Sequence, residues 1–316
     1  MRQMGYNAAS ISFVSERFHE EGNFCDFYFG FDSNSRILNK LFRVGMFFSV
    51  PWGYYKRLHF QGGQSLLPWD VDVPLYRRTG RQVFFTFHGS EVRSPQDPRN
   101  GDEPLRLITT GRQRRTAQRI SHWSTGIMVT TPDLLEFVPG ARYIPVAVDL
   151  DRFCLALNST PNRHVTRVVH APSRRRLKGT SFVVSAVEHL QARGVPIEFT
   201  LIEGRNRLEA IELCRQADIV VDQLLIGWYG MLSVEAMAMG KPVIAYIRDD
   251  LRNYAPDLPV LSATPATIET VLENLVTDVS LQQRLGRAGR EYVEQVHEPR
   301  KVAAQVVGFY ASSTSD

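Results

Sequence analysis

The chain lacks long apolar segments, a leader sequence and a cysteine pattern. No run of about eighteen apolar, uncharged residues occurs, so no transmembrane helix is predicted. The start, MRQMGYNAASISF, lacks the charged, apolar and small-residue parts of a signal peptide. The three cysteines, Cys25, Cys154 and Cys214, form no CxxC pair and no metal-binding spacing. We therefore expect free thiols and a cytoplasmic protein.

Several common catalytic motifs are also absent. No GxGxxG follows a predicted strand and no GxxxxGK[ST] occurs, which argues against a nicotinamide-dependent dehydrogenase and a P-loop enzyme. The chain has no GxSxG, no HExxH and no paired Cys/His spacing, so neither a nucleophile elbow nor a metal site is predicted.

The composition is that of an ordinary globular protein with little excess charge. Hydrophobic residues make up 43% and charged residues 22% of the chain, and the formal net charge is +4. This mild excess suits an anionic ligand or a membrane surface, and it is too small for a dedicated nucleic-acid-binding protein.

Short apolar segments alternate with helical patterns along the chain, which predicts a parallel α/β architecture. In the first half we predict strands at 9–14, 24–29, 58–61, 83–87, 126–130 and 142–148, with helices at 34–48 and 112–123. In the second half we predict strands at 167–170, 197–202, 218–221 and 242–246, with helices at 179–193, 207–216 and 231–239.

The polar segment LNSTPNRH, residues 157–164, is the predicted linker between two Rossmann-like domains. The domains are predicted at 1–150 and 165–298. Residues 264–309 are predicted to be mostly helical, with breaks near Asp278 and at Pro299. The segment 299–316 is predicted as a C-terminal helix that could pack back on the first domain.

The segment DIVVDQLLIGWYGMLSVEAMAMGKPVIAY, residues 218–246, places a glycine-flanked loop between a strand and a helix. The N–H groups of Gly230, Met231 and Leu232 at the start of this helix are a predicted anion site. Glu235 lies on an otherwise apolar helix, and a buried carboxylate needs a partner. Two ribose hydroxyls would supply one, and stabilisation by the helix dipole alone is the alternative.

A second segment, VVHAPSRRRLKGT at 168–180, carries a basic loop directly after a strand. Ligands in open α/β sheets bind at the carboxyl ends of parallel strands. Arg174, Arg175 and Lys178 could neutralise a diphosphate leaving group without a metal ion. A solvated basic loop is the alternative.

Together these segments resemble the donor-binding domain of retaining nucleotide-sugar glycosyltransferases with the GT-B fold, of the family 4 or group 1 type. KGT at 178–180 and VEAMAMGKPVIAY at 234–246 carry the resemblance. It implies two Rossmann-like domains facing across a cleft, and sugar transfer from a nucleotide diphosphate-sugar to a hydroxyl acceptor. Retention of configuration, no metal and no cofactor besides the donor are implied as well. Glu235 would hold the ribose, and Lys178 would hold the phosphates together with Arg174 or Arg175.

The chain departs from the family in two places. Gly227 stands where the family has the first glutamate of a Glu-x7-Glu segment, which contacts the donor sugar. The nucleotide base and the sugar are therefore not predicted. The first residues look like the end of the family's first helix, so we expect the first strand, the loop and most of the first helix to be missing. Either the numbering starts late or the acceptor domain is truncated.

The segment HGSEVR, residues 88–93, resembles a family segment that faces the cleft on the acceptor side. By this likeness His88 is a catalytic candidate near the transferred sugar, with Glu91 and Arg93 nearby. A structural histidine is the alternative. His59, at a comparable strand end, has weaker support.

Other functions and partners stay open. A nucleotide-sugar 2-epimerase shares the fold, and a non-catalytic homologue that binds a nucleotide sugar or stabilises a partner is favoured by Gly227 and by the short start. The acceptor is expected to be a glycan, a lipid-linked sugar or a small molecule.

The aromatic and basic segment 41–60 leaves a peripheral membrane contact open, although a buried helix and strand explain it better. The basic run 111–119 is predicted as a solvated helix face, with an acidic acceptor or an anionic membrane as the alternative. Oligomerisation is also left open.

Overall fold

The computed structural model describes residues 11–12, 27–28, 43–48, 55–96, 106–155 and 165–313. Two compact units divide the chain. The first comprises Met1–Ser94, Ile108–Ile144 and Ala303–Asp316, and the second comprises Pro95–Leu107 and Pro145–Val302. The predicted linker 157–164, the region of the expected missing strand before residue 11, and Cys25 lie outside the described residues.

A four-stranded parallel sheet is the centre of the first unit. The strands of the first half are β1 (Ile11–Ser12), β2 (Phe27–Tyr28), β3 (Arg57–Gln61), β4 (Gln82–Phe87), β5 (Ser94–Gln96), β6 (Arg106–Ile108), β7 (Gly126–Val129) and β8 (Arg142–Tyr143). The helices are α1 (43–48), α2 (Asp72–Arg78) and α3 (Gly111–Trp123). The sheet order is β3-β4-β7-β8, and every neighbouring pair is parallel.

β4 forms the buried centre of this sheet because its sequence, QVFFTF, is apolar on both faces. Val83, Phe84, Phe85 and Phe87 are fully buried, as expected for a parallel strand covered on both sides. The predicted strand at 142–148 is shorter than expected. β8 ends at Tyr143, and Pro145 has no N–H with which to continue the ladder.

The second unit has a five-stranded parallel sheet. Its strands are β9 (Thr166–His170), β10 (Ile197–Leu201), β11 (Ile219–Val221), β12 (Val243–Ile244) and β13 (Val260–Leu261). Its helices are α4 (Arg175–Lys178), α5 (Thr180–Ala192), α6 (Arg207–Gln216), α7 (Met231–Ala238), α8 (Ile268–Thr277) and α9 (Val279–Val296), followed by α10 (Pro299–Ser312), which continues into the first unit. The strand order is β10-β9-β11-β12-β13.

Helix ends in the second unit follow the sequence signals. Asp278 accepts a hydrogen bond from Leu281 N at 2.8 Å and caps α9, and α10 begins at Pro299. The two predicted breaks in the helical segment 264–309 are therefore confirmed. β13 was not predicted, because its two residues, Val260 and Leu261, are too few to show a period.

None of the helices in the described ranges combines the length and the apolar character needed to cross a bilayer.

Each unit contains a desolvated histidine that connects distant parts of its chain. In the first unit, His59 Nδ1 lies 2.6 Å from Tyr310 Oη, and its Nε2 lies 2.7 Å from Thr86 Oγ1. In the second unit, His297 Nδ1 donates to the carbonyl oxygen of Val146 at 2.6 Å. Desolvation lowers the pKa of both histidines to about 4. Both are therefore neutral and structural at pH 7.

We expect folding stability to fall as the pH decreases from 6.5 to about 4. In this window the unfolded histidines, with a pKa of 6.5, bind protons that the folded histidines reject, so protonation favours unfolding. Each histidine accounts for up to about 3 kcal/mol of this loss in folding stability, since one pKa unit corresponds to about 1.4 kcal/mol. Urea unfolding at several pH values should show that the free energy of unfolding changes less steeply with pH for His59→Gln/His297→Gln than for the wild type. Equal slopes would contradict the assignment.

Candidate functional site

The basic loop and the segment after β11 pack directly on each other. Lys178 ends α4, and Gly179, in the left-handed region at φ 74°, connects it to α5. A Cβ atom on Gly179 would lie 3.2 Å from the Cβ of Leu224. The Lys178 carbonyl oxygen accepts a hydrogen bond from Leu224 N at 3.1 Å. This contact brings the KGT segment to the loop that leads into α7.

Lys178 forms an ion pair with a buried carboxylate at the start of α7. Its Nζ lies 2.5 Å from Asp222 Oδ1, and Asp222 Oδ2 accepts from Gly230 N at 2.8 Å and from Ser233 Oγ at 2.7 Å. Asp222 is fully buried. Burial alone would raise the pKa of Asp222, but Lys178 and the hydrogen bonds from Ser233 and Gly230 hold it below its usual value. Asp222 is therefore ionised at neutral pH.

This carboxylate corrects one part of the predicted anion site. The N–H group of Gly230, which the sequence offered to an external anion, donates to Asp222 instead. Met231 and Leu232 lie in the first turn of α7, where backbone N–H groups have no partner within the helix. Met231 is exposed and Leu232 is half-buried. These two amides are the ones that a phosphate oxygen could reach.

Glu235 has a partner that the sequence analysis missed. Its Oε1 lies 2.5 Å from the Arg207 guanidinium, and the side chains of Glu235 and Arg207 are 11% and 47% exposed. Burial raises the pKa of Glu235, and the charges of Arg207 and Arg152 oppose this shift. Glu235 Oε2 bonds no residue in the described part of the chain. One carboxylate oxygen is thus held by Arg207 and the other is available to a ligand.

The Lys178 ammonium, from α4, lies at the start of α7, and Glu235 lies within α7. A Cβ atom on Gly230 would lie 3.2 Å from Lys178 Nζ and 2.9 Å from Asp222 Oδ2, so only glycine fits between them. Glu235 follows Gly230 by five residues, or about 7.5 Å along a helix. The helix therefore brings a cation and a carboxylate to a distance that a nucleoside diphosphate can span.

The other two predicted phosphate ligands, Arg174 and Arg175, are both exposed. Arg175 is 62% exposed and lies 3.5 Å from Glu203, and such exposed pairs contribute little. Arg174 is exposed and forms no ion pair with a described residue. No cluster of three or more His, Cys, Asp or Glu residues suited to a metal occurs among the residues whose positions are described.

Gly227, where the family has a glutamate, is covered by another side chain. It is in the left-handed region at φ 91°, and a Cβ atom there would lie 2.6 Å from Cγ and Cδ of Arg248. The Arg248 guanidinium binds Asp250 through contacts of 3.0 and 2.6 Å. A glutamate at position 227 would not fit unless Arg248 moved. The structure thus explains why glycine occupies this position.

In the first unit, His88 lies where the sequence predicted, at the carboxyl end of β4. Its Nε2 lies 3.1 Å from the side-chain oxygen of Gln61, at the end of the neighbouring strand β3. Glu91 accepts from His88 N at 3.3 Å and from Gly89 N at 2.8 Å. The side chain keeps an exposed surface, but surrounding atoms desolvate the ring and lower its pKa. Arg93 pairs with the buried Asp133 and has a structural role.

Comparison with solved structures gives consistent matches over most of the chain. Sucrose-phosphate synthase from Thermosynechococcus elongatus has a TM-score of 0.59 at 18% identity, covering 87% of this chain and 77% of that one. A glycosyltransferase from Rickettsia africae ESF-5 has a TM-score of 0.57 at 13% identity, covering 92% and 86%. Anabaena Alr3699/HepE, solved with UDP-glucose, has a TM-score of 0.57 at 10% identity, covering 90% and 86%. The fold is that of the GT-B glycosyltransferases.

These matches confirm the predicted α/β class with parallel sheets, and they confirm the resemblance to group 1 glycosyltransferases with the GT-B fold. No protein-family profile and no curated protein sequence matches the chain. Because one fold hosts many activities, the function has to be argued from the residues of the site.

Proposed function

We propose that this GT-B protein is an enzyme that transfers a sugar from a nucleoside diphosphate-sugar to a hydroxyl acceptor, with retention and without a metal ion. One observation carries the proposal: Lys178 Nζ lies at the start of α7, and Glu235, whose Oε1 pairs with Arg207, lies one turn further along α7. The cation suits a diphosphate, and the carboxylate oxygen suits a ribose hydroxyl. Support also comes from HepE, which has a similar fold and was solved with UDP-glucose.

The site's chemistry favours departure of a nucleoside diphosphate. As the bond between the sugar and the diphosphate breaks, negative charge develops on the phosphate oxygen, and fixed cations and helix amides stabilise it. The Lys178 ammonium has three N–H donors and uses one on Asp222 Oδ1, so it can also reach a phosphate. Met231 and Leu232 add two backbone donors.

Direct transfer from the donor fits these residues better than a double displacement. A covalent glycosyl intermediate needs a free carboxylate nucleophile and a second carboxyl group as the acid. Asp222 is held by Lys178, Gly230 and Ser233, and Glu235, which pairs with Arg207, is assigned to the ribose in this proposal, so neither carboxylate serves as the nucleophile. Retention itself rests on the sequence resemblance.

The proposal includes a cytoplasmic location, no nucleic-acid partner, and His88 as a catalytic group on the acceptor side. A non-catalytic nucleotide-sugar-binding homologue is the second candidate, and Gly227 is the observation that favours it. Arg248 covers the position where the family has a donor-contacting glutamate. Turnover assays separate the two.

We expect Glu235→Gln to abolish a preference for ribonucleotides. UDP, GDP and ADP would first be compared by thermal shift, because a ligand bound only by the folded state raises the melting temperature. The best nucleotide should then bind about tenfold more tightly than its 2′-deoxy form, since a hydrogen bond to a charged group contributes about 1.5–3 kcal/mol. Glu235→Gln should bind both forms equally, as measured by calorimetry.

Glu209→Gln is the matched control, because Glu209 is an exposed residue of α6 that lies 4.0 Å from Arg205. It should keep the wild-type preference. A persistent preference in Glu235→Gln would contradict the ribose role, and the absence of any thermal shift would contradict the donor site. Nucleotide binding without hydrolysis or transfer of any nucleotide sugar would favour the non-catalytic homologue.

A further inference from the structure

The first unit contains an open cavity of about 860 Å³ that the donor site does not include. This volume lies within the range of about 300–1,000 Å³ typical of small-molecule sites. The cavity lies between the glycine turn after β3, the turn Pro68–Asp70 and one face of α3. Gly63 has φ 64°, and a Cβ atom there would collide with the Phe87 ring. Glycine at this position therefore lets the turn pack closely against Phe87.

Arginines dominate the charge of the cavity. Arg112, Arg115 and Arg119 line it and are spaced along one face of α3. Arg119 is neutralised by Asp70 at 2.7 Å. Arg112 and Arg115 are exposed and form no ion pair with any residue of the described ranges. The first turn of α3 contains no acidic residue, so the helix dipole adds to their positive potential instead of being balanced.

Trp69 presents an exposed indole to the same cavity. The residue is 77% exposed and lies in the left-handed region, at φ 55° and ψ 20°. This conformation is strained for a residue other than glycine, and such strain is found at functional sites. The adjacent Asp70, also at φ 55°, is buried and accepts from Ser65 N at 3.0 Å, in addition to binding Arg119. These contacts fix the turn, so the indole is held exposed.

An indole and two cations in one cavity match a sugar that carries an anionic group. One face of a pyranose ring consists of C–H groups, which pack on an aromatic ring, and guanidinium groups bind phosphate and carboxylate oxygens in pairs. Neutral sugars would use only the indole, and inorganic anions would use only the arginines.

We propose that this cavity is the binding site for a saccharide acceptor bearing a phosphate or a carboxylate. The sugar ring lies on Trp69 and the anion lies between Arg112 and Arg115. The role of the bound saccharide as the acceptor rests on the proposed function, whereas its binding in the cavity does not. Glu91, which also lines the cavity, accepts from the backbone N–H of His88. The bound sugar therefore lies close to the segment that carries the catalytic candidate.

The test is calorimetric titration of the full-length protein with trigalacturonate, glucose 6-phosphate, maltotriose and inorganic phosphate. Each anionic sugar should bind at least about tenfold more tightly than maltotriose, and glucose 6-phosphate should exceed inorganic phosphate. Arg112→Ala/Arg115→Ala should weaken the binding of the anionic sugars about tenfold, and added salt should reduce this difference in affinity between the variant and the wild type. Arg114→Ala is the matched control, because Arg114 is an exposed residue of α3 that does not line the cavity.

Trp69→Gly tests the indole without disturbing the fold, because glycine adopts the left-handed region readily. It should weaken glucose 6-phosphate about tenfold and leave the binding of inorganic phosphate unchanged. A tighter affinity for glucose 6-phosphate or for trigalacturonate would identify phosphate or carboxylate as the anion, and either supports the proposal.

Equal affinities for maltotriose and the anionic sugars would overturn the inference. It would also be overturned if Arg114→Ala lost as much affinity for the anionic sugars as Arg112→Ala/Arg115→Ala, or if Trp69→Gly lost no affinity for glucose 6-phosphate. Thermal shifts with nucleoside diphosphates on the same samples keep the two proposals apart. Nucleotide binding without anionic-sugar binding contradicts the cavity alone. Anionic-sugar binding without nucleotide binding contradicts the donor site alone.

Discussion

Lys178→Met is expected to lower turnover at least about 100-fold, and a second substitution, Asp222→Asn, should not restore it. Lys178 has two roles in the proposal: it neutralises Asp222, which is fully buried, and it binds the diphosphate. Removing the lysine alone leaves a buried charge without a partner, which costs about 3–5 kcal/mol of folding stability. Turnover of Lys178→Met alone would therefore report a mixture of unfolding and lost catalysis.

The double variant Lys178→Met/Asp222→Asn separates these effects. It removes both charges, and the introduced asparagine side chain retains an oxygen that can accept from the N–H of Gly230, so stability should return close to that of the wild type. Loss of a fixed charge that stabilises the transition state lowers kcat by about 10²–10³. Thermal unfolding and kcat would be measured on the single and double variants. Recovery of turnover in the double variant would show that Lys178 only neutralises Asp222, and would contradict the phosphate role.

Asp222→Asn alone is the matched control. Lys178 keeps its charge and is 13% exposed, so it can stay near the start of α7 without the carboxylate. Because a phosphate would no longer compete with Asp222 for the ammonium group, nucleoside diphosphates should bind as tightly as before or more tightly. A weaker affinity would indicate that Asp222 orients Lys178.

The parts of the fold that were predictable are those with a strong local pattern. β4 is a continuous apolar run, and the breaks at Asp278 and Pro299 have a side-chain cap and a missing N–H as their causes. β13 escaped prediction because two residues show no period, and β8 was predicted too long because its apolar pattern continues past the last ladder bond.

The candidate site residues that the sequence suggested each lie within a single segment, and the contacts that it did not suggest join distant segments. Lys178 and Glu235 were identified from the spacing within two motifs. Arg207 lies 28 residues before Glu235, and nothing near it in the sequence indicates this contact. Asp222 had a signal that was not used: it is a polar residue at the carboxyl end of a buried strand, where ligands of α/β sheets bind. No sequence signal indicates the left-handed backbone of Trp69, because the segment LPWDVD contains no glycine.

The second large effect is expected for Gly286→Ala, a substitution in α9 that should destabilise the second unit by about 3 kcal/mol. Gly286 is buried, and a Cβ atom there would overlap the carbonyl oxygen of Gly240, which lies two residues after the end of α7. A backbone oxygen cannot rotate away as a side chain can, so α9 would have to move outward, and overpacking of this kind costs about 1–3 kcal/mol or more. Because α7 carries Glu235, nucleotide affinity should fall together with stability.

Gly308→Ala is the control for this substitution, since Gly308 lies in the helix α10 and a Cβ atom there would have no neighbour within 4 Å. Alanine is favoured over glycine within helices by about 1 kcal/mol, so this variant should be as stable as the wild type or more stable. Urea unfolding of both variants, with calorimetric titration of the nucleotide, makes the comparison. Unchanged stability in Gly286→Ala would mean that α9 does not approach α7 as closely as described. Lost stability with unchanged nucleotide affinity would mean that the position of Glu235 does not depend on that approach.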